Sequence, residues 1–226
     1  MMKFFKIIPL LLFLLFGCTP GTRGTEKQQK LVIFPSPPDT ARIQYLTSFS
    51  SSKDIVGEQS IFSKYVMGEE TPKNIQKPYG ITMRNKRIYI CDSMLPGLEI
   101  IDLEKNTFDY FTPDGLGELK KPINCFVTAN GDIFVADAER RQIVAFSALG
   151  NFTFVLGDGK SGKPTDVTVF DEKIWVCDLQ LHKIIVFDKN TREELYSFPE
   201  AHKKEAAYLF MPTNVTIADD IVYVTD

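Results

Sequence analysis

From Lys77 onward, short runs of β-branched and aromatic residues alternate with turn-forming clusters, and the whole pattern returns four times. The aligned segments open at Pro78, Pro122, Pro164 and Pro212 and close at Asp92, Asp137, Asp178 and Asp226. The prolines are 44, 42 and 48 residues apart, the aspartates 45, 41 and 48, and the proline-to-aspartate interval is 14, 15, 14 and 14. Arg84-Asn85-Lys86, Asn130-Gly131 and Asp171-Glu172 separate the first two runs of their units, and Asn106-Thr107, Gly150-Asn151 and Asn190-Thr191 the last two. Such punctuation predicts hairpins. No stretch of 72–198 carries the i, i+3, i+4, i+7 apolar spacing of an amphipathic helix over three turns. In the second unit the strands are read at 123–128, 132–137, 142–147 and 151–156. Residues 46–76 are read as a strand or two and a surface loop.

Each unit is therefore a four-stranded antiparallel sheet, and sheets of that kind recurring every 40 or so residues predict an all-β chain of propeller type. Each blade buries its faces against its neighbours. Proline at the head of the innermost strand fits, because a missing N–H is tolerated at a strand's first residue. Residues 78–226 supply 149 positions, room for three such repeats and part of a fourth. The expectation is about three full blades plus part of another, an N-terminal piece of a longer protein.

The first eighteen residues follow a different logic. Lys3 and Lys6 precede an apolar run from Ile7 to Phe16, then Gly17 and Cys18. Ten apolar residues are too few to cross a hydrocarbon core that needs about 20 as a helix, so 1–17 is read as a secretory signal. Leu15-Phe16-Gly17-Cys18 resembles the bacterial lipobox, which implies cleavage before Cys18 and lipidation of that cysteine, palmitate included. Several acyl chains on one residue suffice for stable anchoring. Thr19 after the cysteine implies, by resemblance to enterobacterial sorting, the periplasmic side of the outer membrane. Residues 18–38, rich in Thr, Gly, Gln, Lys, Ser and Pro, are read as the lipidated tether, and 39–226 as the propeller with repeats beginning near 77, 121, 163 and 211.

A Val-x-Asp motif followed five residues later by an Ile/Leu-x-x-Phe run resembles the NHL repeat. Asp178-Leu-Gln-Leu-His182-Lys183-Ile184-Ile-Val-Phe187 is the nearest copy, with His182 at the family's histidine position. Asp137 to Phe146 follows, with Arg141 at that position, and Asp92 to Ile101 departs most, having Pro96-Gly97 instead. With the lipobox, the chain resembles six-bladed NHL-type propeller lipoproteins of bacteria. Pro37-Pro38-Asp39-Thr-Ala-Arg42-Ile-Gln-Tyr45 is similar to the segment those proteins carry ahead of their first blade, where it supplies an outer strand to the last blade.

Composition narrows the function without naming it. The chain has 226 residues, 26 basic against 29 acidic, and a 44% hydrophobic share. That is a globular composition, not a disordered one. A net charge of −3 argues against nucleic-acid binding through phosphate neutralisation. The four aspartates occupy one repeat position and are read as acceptors of backbone N–H bonds in the turn after the second strand. Cys91 and Cys177 are two repeats apart, too far for a disulfide, and Cys125 sits at an apolar innermost-strand position. All three are read as buried thiols, with a Cys91–Cys125 bridge as the alternative. No Cys/His metal spacing, P-loop or catalytic triad appears, so no catalytic residue, metal or cofactor is assigned. His202 falls in a charged loop.

The function expected from these features is a membrane-anchored periplasmic binding or scaffolding module. Its partner is a protein, small molecule or glycan, and its candidate rim is Arg140, Arg141, His182 and Lys183. The other reading is a channel-centred metal-dependent hydrolase or lyase. Other six-bladed propellers imply ligands immediately after the leading proline, where this chain has Tyr79, Ile123, Thr165 and Thr213. The polar residues Asn124, Asp166 and Asn214 stand one position on, and simple strand alternation points them to the other face.

Overall fold

The computed structural model describes residues 32–200 and 205–226. The signal, Cys18, most of the tether and His202 lie outside these. The chain divides into two compact units at Thr47/Ser48. In the first unit, β1 (Val32–Phe34) and β2 (Ile43–Tyr45) form a two-stranded antiparallel sheet. Val32–Phe34, within the segment read as tether, is thus a strand.

The second unit opens with two short helices, α1 (Lys53–Val56) and α2 (Ile61–Met67), in the segment read from sequence as a strand or two and a surface loop. Short apolar runs do not distinguish the two states. Here the Asp54 carboxylate accepts the Ser50 and Ser51 N–H groups and starts a helical turn. What extended structure the segment has is the single bridge between Ser51 and Asn74.

Three four-stranded antiparallel sheets follow, each in simple up-and-down order. Blade 1 is β3 (Pro78–Arg84), β4 (Arg87–Asp92), β5 (Leu98–Asp102) and β6 (Thr107–Phe111). Blade 2 is β7 (Pro122–Val127), β8 (Ile133–Asp137), β9 (Gln142–Phe146) and β10 (Phe152–Leu156). Blade 3 is β11 (Pro164–Phe170), β12 (Lys173–Asp178), β13 (Lys183–Asp188) and β14 (Glu194–Phe198). A final hairpin, β15 (Asn214–Ala218) and β16 (Ile221–Thr225), forms the first half of a fourth blade. The strands of blade 2 lie within one residue of the sequence expectation.

Two-residue turns set the register. Asn85 and Lys86 take φ of 50° and 61°, and Asp171 and Glu172 take 49° and 52°, the left-handed pair that matches strand twist in a tight hairpin. Side-chain alternation then builds a separate core at each seam. On β8, Val135 packs with Cys91 and Leu98 of blade 1, while Phe134 and Ala136 pack with Val167 and Val176 of blade 3. Trp175, Cys177, Ile184 and Val186 continue the series onto Val215. The other face of blade 1 is covered in part by Phe49, Ile55 and Ile75, which pack on Ile90, Ile101 and Phe108. A middle blade is therefore buried on both faces, and all five residues of β8 are buried.

Candidate functional site: the loop rim, its cleft and the inner strands

The four repeat aspartates act as loop ties. Asp92 accepts the N–H groups of Gln76, Lys77 and Met94. Asp137 accepts those of Lys120, Lys121, Glu139 and Arg140. Asp178 accepts those of Lys163, Gln180 and Leu181, and Asp226 those of Phe210 and Met211. The first three carboxylates join the turn after the second strand to the segment leading into the blade's own proline, and Asp226 holds that leading segment. Burial pushes the Asp92 carboxyl up, but the bonds from Met94, Lys77 and Gln76 outweigh it and hold it below its ordinary value. At Gly162 a Cβ would collide with the Asp178 carboxylate, and its φ is +76°; both facts require glycine there.

The rim residues extend this bracing. Arg141 and His182 hold the same repeat position with φ of 59° and 57°, and each reaches the leading segment of the next blade. Arg141 Nη1 donates to the Lys160 and Gly162 carbonyls and to Gln180 Oε1 at 3.0–3.2 Å. His182 Nδ1 donates to the Phe210 carbonyl at 2.9 Å, and its ring packs on Tyr208. Arg140 donates to Leu116 and Glu118 carbonyls and to Gln142. Lys183 stands opposite Asp178 in the strand register. Three of the four rim residues thus have partners within the chain.

Between blades 2 and 3, this rim opens into a cleft of about 260 Å³. Leu156, Val176 and Phe187 lie in it, and Arg141, Asp158 and Glu194 supply charge. The Ser161 and Lys160 N–H groups hold the exposed Asp158 carboxyl below its ordinary value. Sequence reasoning does not foresee the cleft. Its one signal is the loop Gly157-Asp158-Gly159-Lys160-Ser161-Gly162, whose composition makes a wall between two blades out of backbone.

The inner strands carry a second polar feature. At the head of β3, β7 and β11 the register shifts by one, at Tyr79, Ile123 and Thr165. This bulge defeats the simple alternation argument. Asn124, Asp166 and Val215 of three consecutive blades consequently meet. Asp166 Oδ1 accepts Asn124 Nδ2 at 2.7 Å and Val167 N at 2.9 Å, and Oδ2 accepts Val215 N at 2.9 Å. Asn214 adds a side-chain bond, yet burial dominates and raises the Asp166 carboxyl to about 6. A hard cation is held by several carboxylate or carbonyl oxygens free to face it. Both oxygens of Asp166 already face N–H donors, and among the described residues no three His, Cys, Asp or Glu side chains gather at one point. The inner strands described here do not fit a metal.

One buried acid escapes a reading of the sequence. Glu99 on β5 is 1% exposed, at the register position that Val144 and Ile185 hold in the next two blades. Burial, then the charge of Asp92 and the hydrogen bond with it, raise its carboxyl to about 7. Its Oε2 has no hydrogen-bond partner among the described residues.

Neither a protein-family model nor a curated protein matches this chain. Solved structures do. A streptogramin B lyase aligns with a TM-score of 0.53 at 19% identity, covering 66% of this chain and 47% of its own. The virginiamycin B lyase of Staphylococcus aureus gives 0.52 at 16%, covering 66% and 48%. A hydrazine synthase chain of Kuenenia stuttgartiensis gives 0.51 at 16%, covering 69% and 43%. The chain spans about half the length of these neighbours or less, and likeness at this identity speaks to fold alone. Together with the repeated four-stranded sheets, it establishes an all-β chain of consecutive propeller-type blades, three complete and a fourth begun.

Proposed function

We propose that this chain is the blade-bearing part of a membrane-anchored, periplasmic binding module of NHL type, held by lipid on Cys18. The observation that carries the reading is the cleft between blades 2 and 3. It joins apolar side chains to opposite charges at a seam whose geometry the repeat residues hold rigid. Loops on a fixed scaffold are the usual place for recognition, and concave sites with an apolar lining and few polar groups suit a small molecule, a glycan or a peptide turn. The Arg140, Arg141 and His182 bonds brace the rim, and Arg141 also lines the cleft, so the proposed contact surface runs from Arg141 to Leu181, Asp158 and Glu194.

The test is cross-linking of the protein in its native membranes, comparing wild type with D158K and E194K. Both variants change the cleft without touching the aspartate ties. Loss of the cross-linked species in the variants supports the reading, and unchanged cross-linking places the partner elsewhere. The channel-centred hydrolase or lyase is tested by the metal content of the protein purified from those membranes. A stoichiometric divalent ion would replace the binding-module reading.

A further inference from the structure

Each blade seam brings the same two positions together: the residue before the repeat aspartate, and the third residue after the next blade's leading proline. At the seam of blades 2 and 3 they are Ala136 and Val167, within one buried cluster. At the seam of blades 3 and 4 they are Cys177 and Val215. At the seam of blades 1 and 2 they are Cys91 and Cys125. Gly80, the register partner of Cys91 on β3, shows how closely the blades approach there. A Cβ on it would collide with the Ile123 carbonyl and Asn124, the residues leading into Cys125. Both cysteines are buried, at 0% and 4% exposure.

We propose that Cys91 and Cys125 form a disulfide that staples β4 of blade 1 to β7 of blade 2. The oxidant is a disulfide of the thiol-exchange class, protein-borne or small. Its S–S bond breaks, the Cys91–Cys125 S–S bond forms, and the two protons and two electrons lost by the protein thiols leave with the two thiols the oxidant becomes. Burial first, then the hydrogen bond with Cys125, hold the Cys91 thiol well above its ordinary value in the folded chain. Only a thiolate attacks a disulfide, so the staple forms before blade 2 closes on blade 1. Once formed, it is shielded from reductants. Cys177, which faces Val215, has no such partner position and stays a thiol that burial pushes up to about 12. The staple needs only the seam and is independent of the proposed function.

The experiment refolds the full chain, as C18S, from the reduced unfolded state in a buffer of oxidised and reduced glutathione. Free thiols are alkylated in denaturant, and peptides are mapped without reduction. The expected result is a linked Cys91–Cys125 peptide pair with Cys177 alkylated, and unchanged pairing in C177A. Hydrogen exchange at β4 and β7 should be slower in the oxidised than in the reduced protein, with β15 unaffected. Alkylation of both Cys91 and Cys125 in the refolded protein, or recovery of Cys91 linked to Cys177, would overturn the proposal.

Discussion

Asp166 is the residue on which the inner strands turn, and two substitutions separate what its shape contributes from what its charge contributes. It accepts bonds from Asn124, Val167 and Val215 at 7% exposure. In D166A those three donors are left buried without a partner, at about 1–3 kcal/mol each with partial relief by relaxation, so a loss of about 3–5 kcal/mol is expected at pH 4, shrinking as pH rises through about 6 and the wild type itself loses stability. D166N keeps the shape and one acceptor but cannot ionise. The wild-type carboxyl is raised from 3.8 to about 6 in the folded chain. A raised carboxyl binds its proton more tightly folded than unfolded, so its contribution is fully present below pH 4 and is lost as pH rises towards 6. A rise of that size amounts to about 3 kcal/mol of tighter proton binding in the folded chain. The stability of D166N relative to wild type should therefore improve by about that amount between pH 4 and pH 7. Urea unfolding at both values, followed by Trp175 fluorescence, measures it. A gap between the two proteins that does not change with pH, or widens against D166N, would refute the claim that burial outweighs the hydrogen bonds at this carboxyl.

Glu99→Val, which installs the residue of the next blade at a buried acid raised to about 7, should stabilise the protein at pH 8 by about 1–2 kcal/mol. The gain should shrink below pH 5, where the acid is neutral in the folded chain and increasingly so in the unfolded one; a pH-independent shift in the urea midpoint would count against it. Asp137→Ala removes the acceptor of four backbone N–H groups and should cost about 2–4 kcal/mol, read as a fall in Tm. Gly80→Ala places a methyl against the backbone of Ile123 and should cost about 1–3 kcal/mol by forcing the blades apart, whereas Gly115→Ala, where nothing lies within 4 Å, should change stability little beyond its positive-φ cost. Ile81 and Met83 expose one face of β3 at 67% and 58%, and Ile221 and Tyr223 one face of β16 at 54% and 51%. I81K and Y223K should each lower self-association of the 226-residue chain in sedimentation velocity, and identical profiles would show that these faces do not associate.

Much of the blade is legible in the sequence because its signals are local and repeated. The Asn85-Lys86 and Asp171-Glu172 turns, the proline at each strand head and the period-two runs all act over a few residues, and four copies average out the noise of any one. The helices α1 and α2 escape because that segment has no repeat to align with. The bulges at Tyr79, Ile123 and Thr165 escape for another reason. A bulge adds one residue without altering the apolar pattern around it, so alternation counted from the proline assigns Asn124 and Asp166 to the wrong face. Glu99 is passed over because a single acid in an otherwise apolar strand reads as a solvent-facing position, and only the packing of Ile75 and Ile101 on that face shows it buried.

The same comparison across blades bears on function. A residue that recurs at one position in every blade must solve a problem every blade has, and here that problem is visible: Asp92, Asp137, Asp178 and Asp226 hold leading segments, while Arg141 ties blade 2 to the lead of blade 3 and His182 ties blade 3 to the lead of the next hairpin. The aspartate carboxylates, Arg141 Nη1 and His182 Nδ1 make their bonds inside the fold. A surface able to distinguish one partner from another must come from what the blades do not share. The connector 157–162, with three glycines in six residues, differs in sequence from those leading into Pro122 and Pro212, and the cleft it walls combines Asp158 and Glu194 with an apolar lining. Charge reversal at those two acids is therefore the more discriminating perturbation than alanine at the repeat positions. The former changes recognition on an intact scaffold, whereas the latter loosens the scaffold and removes recognition as a secondary effect.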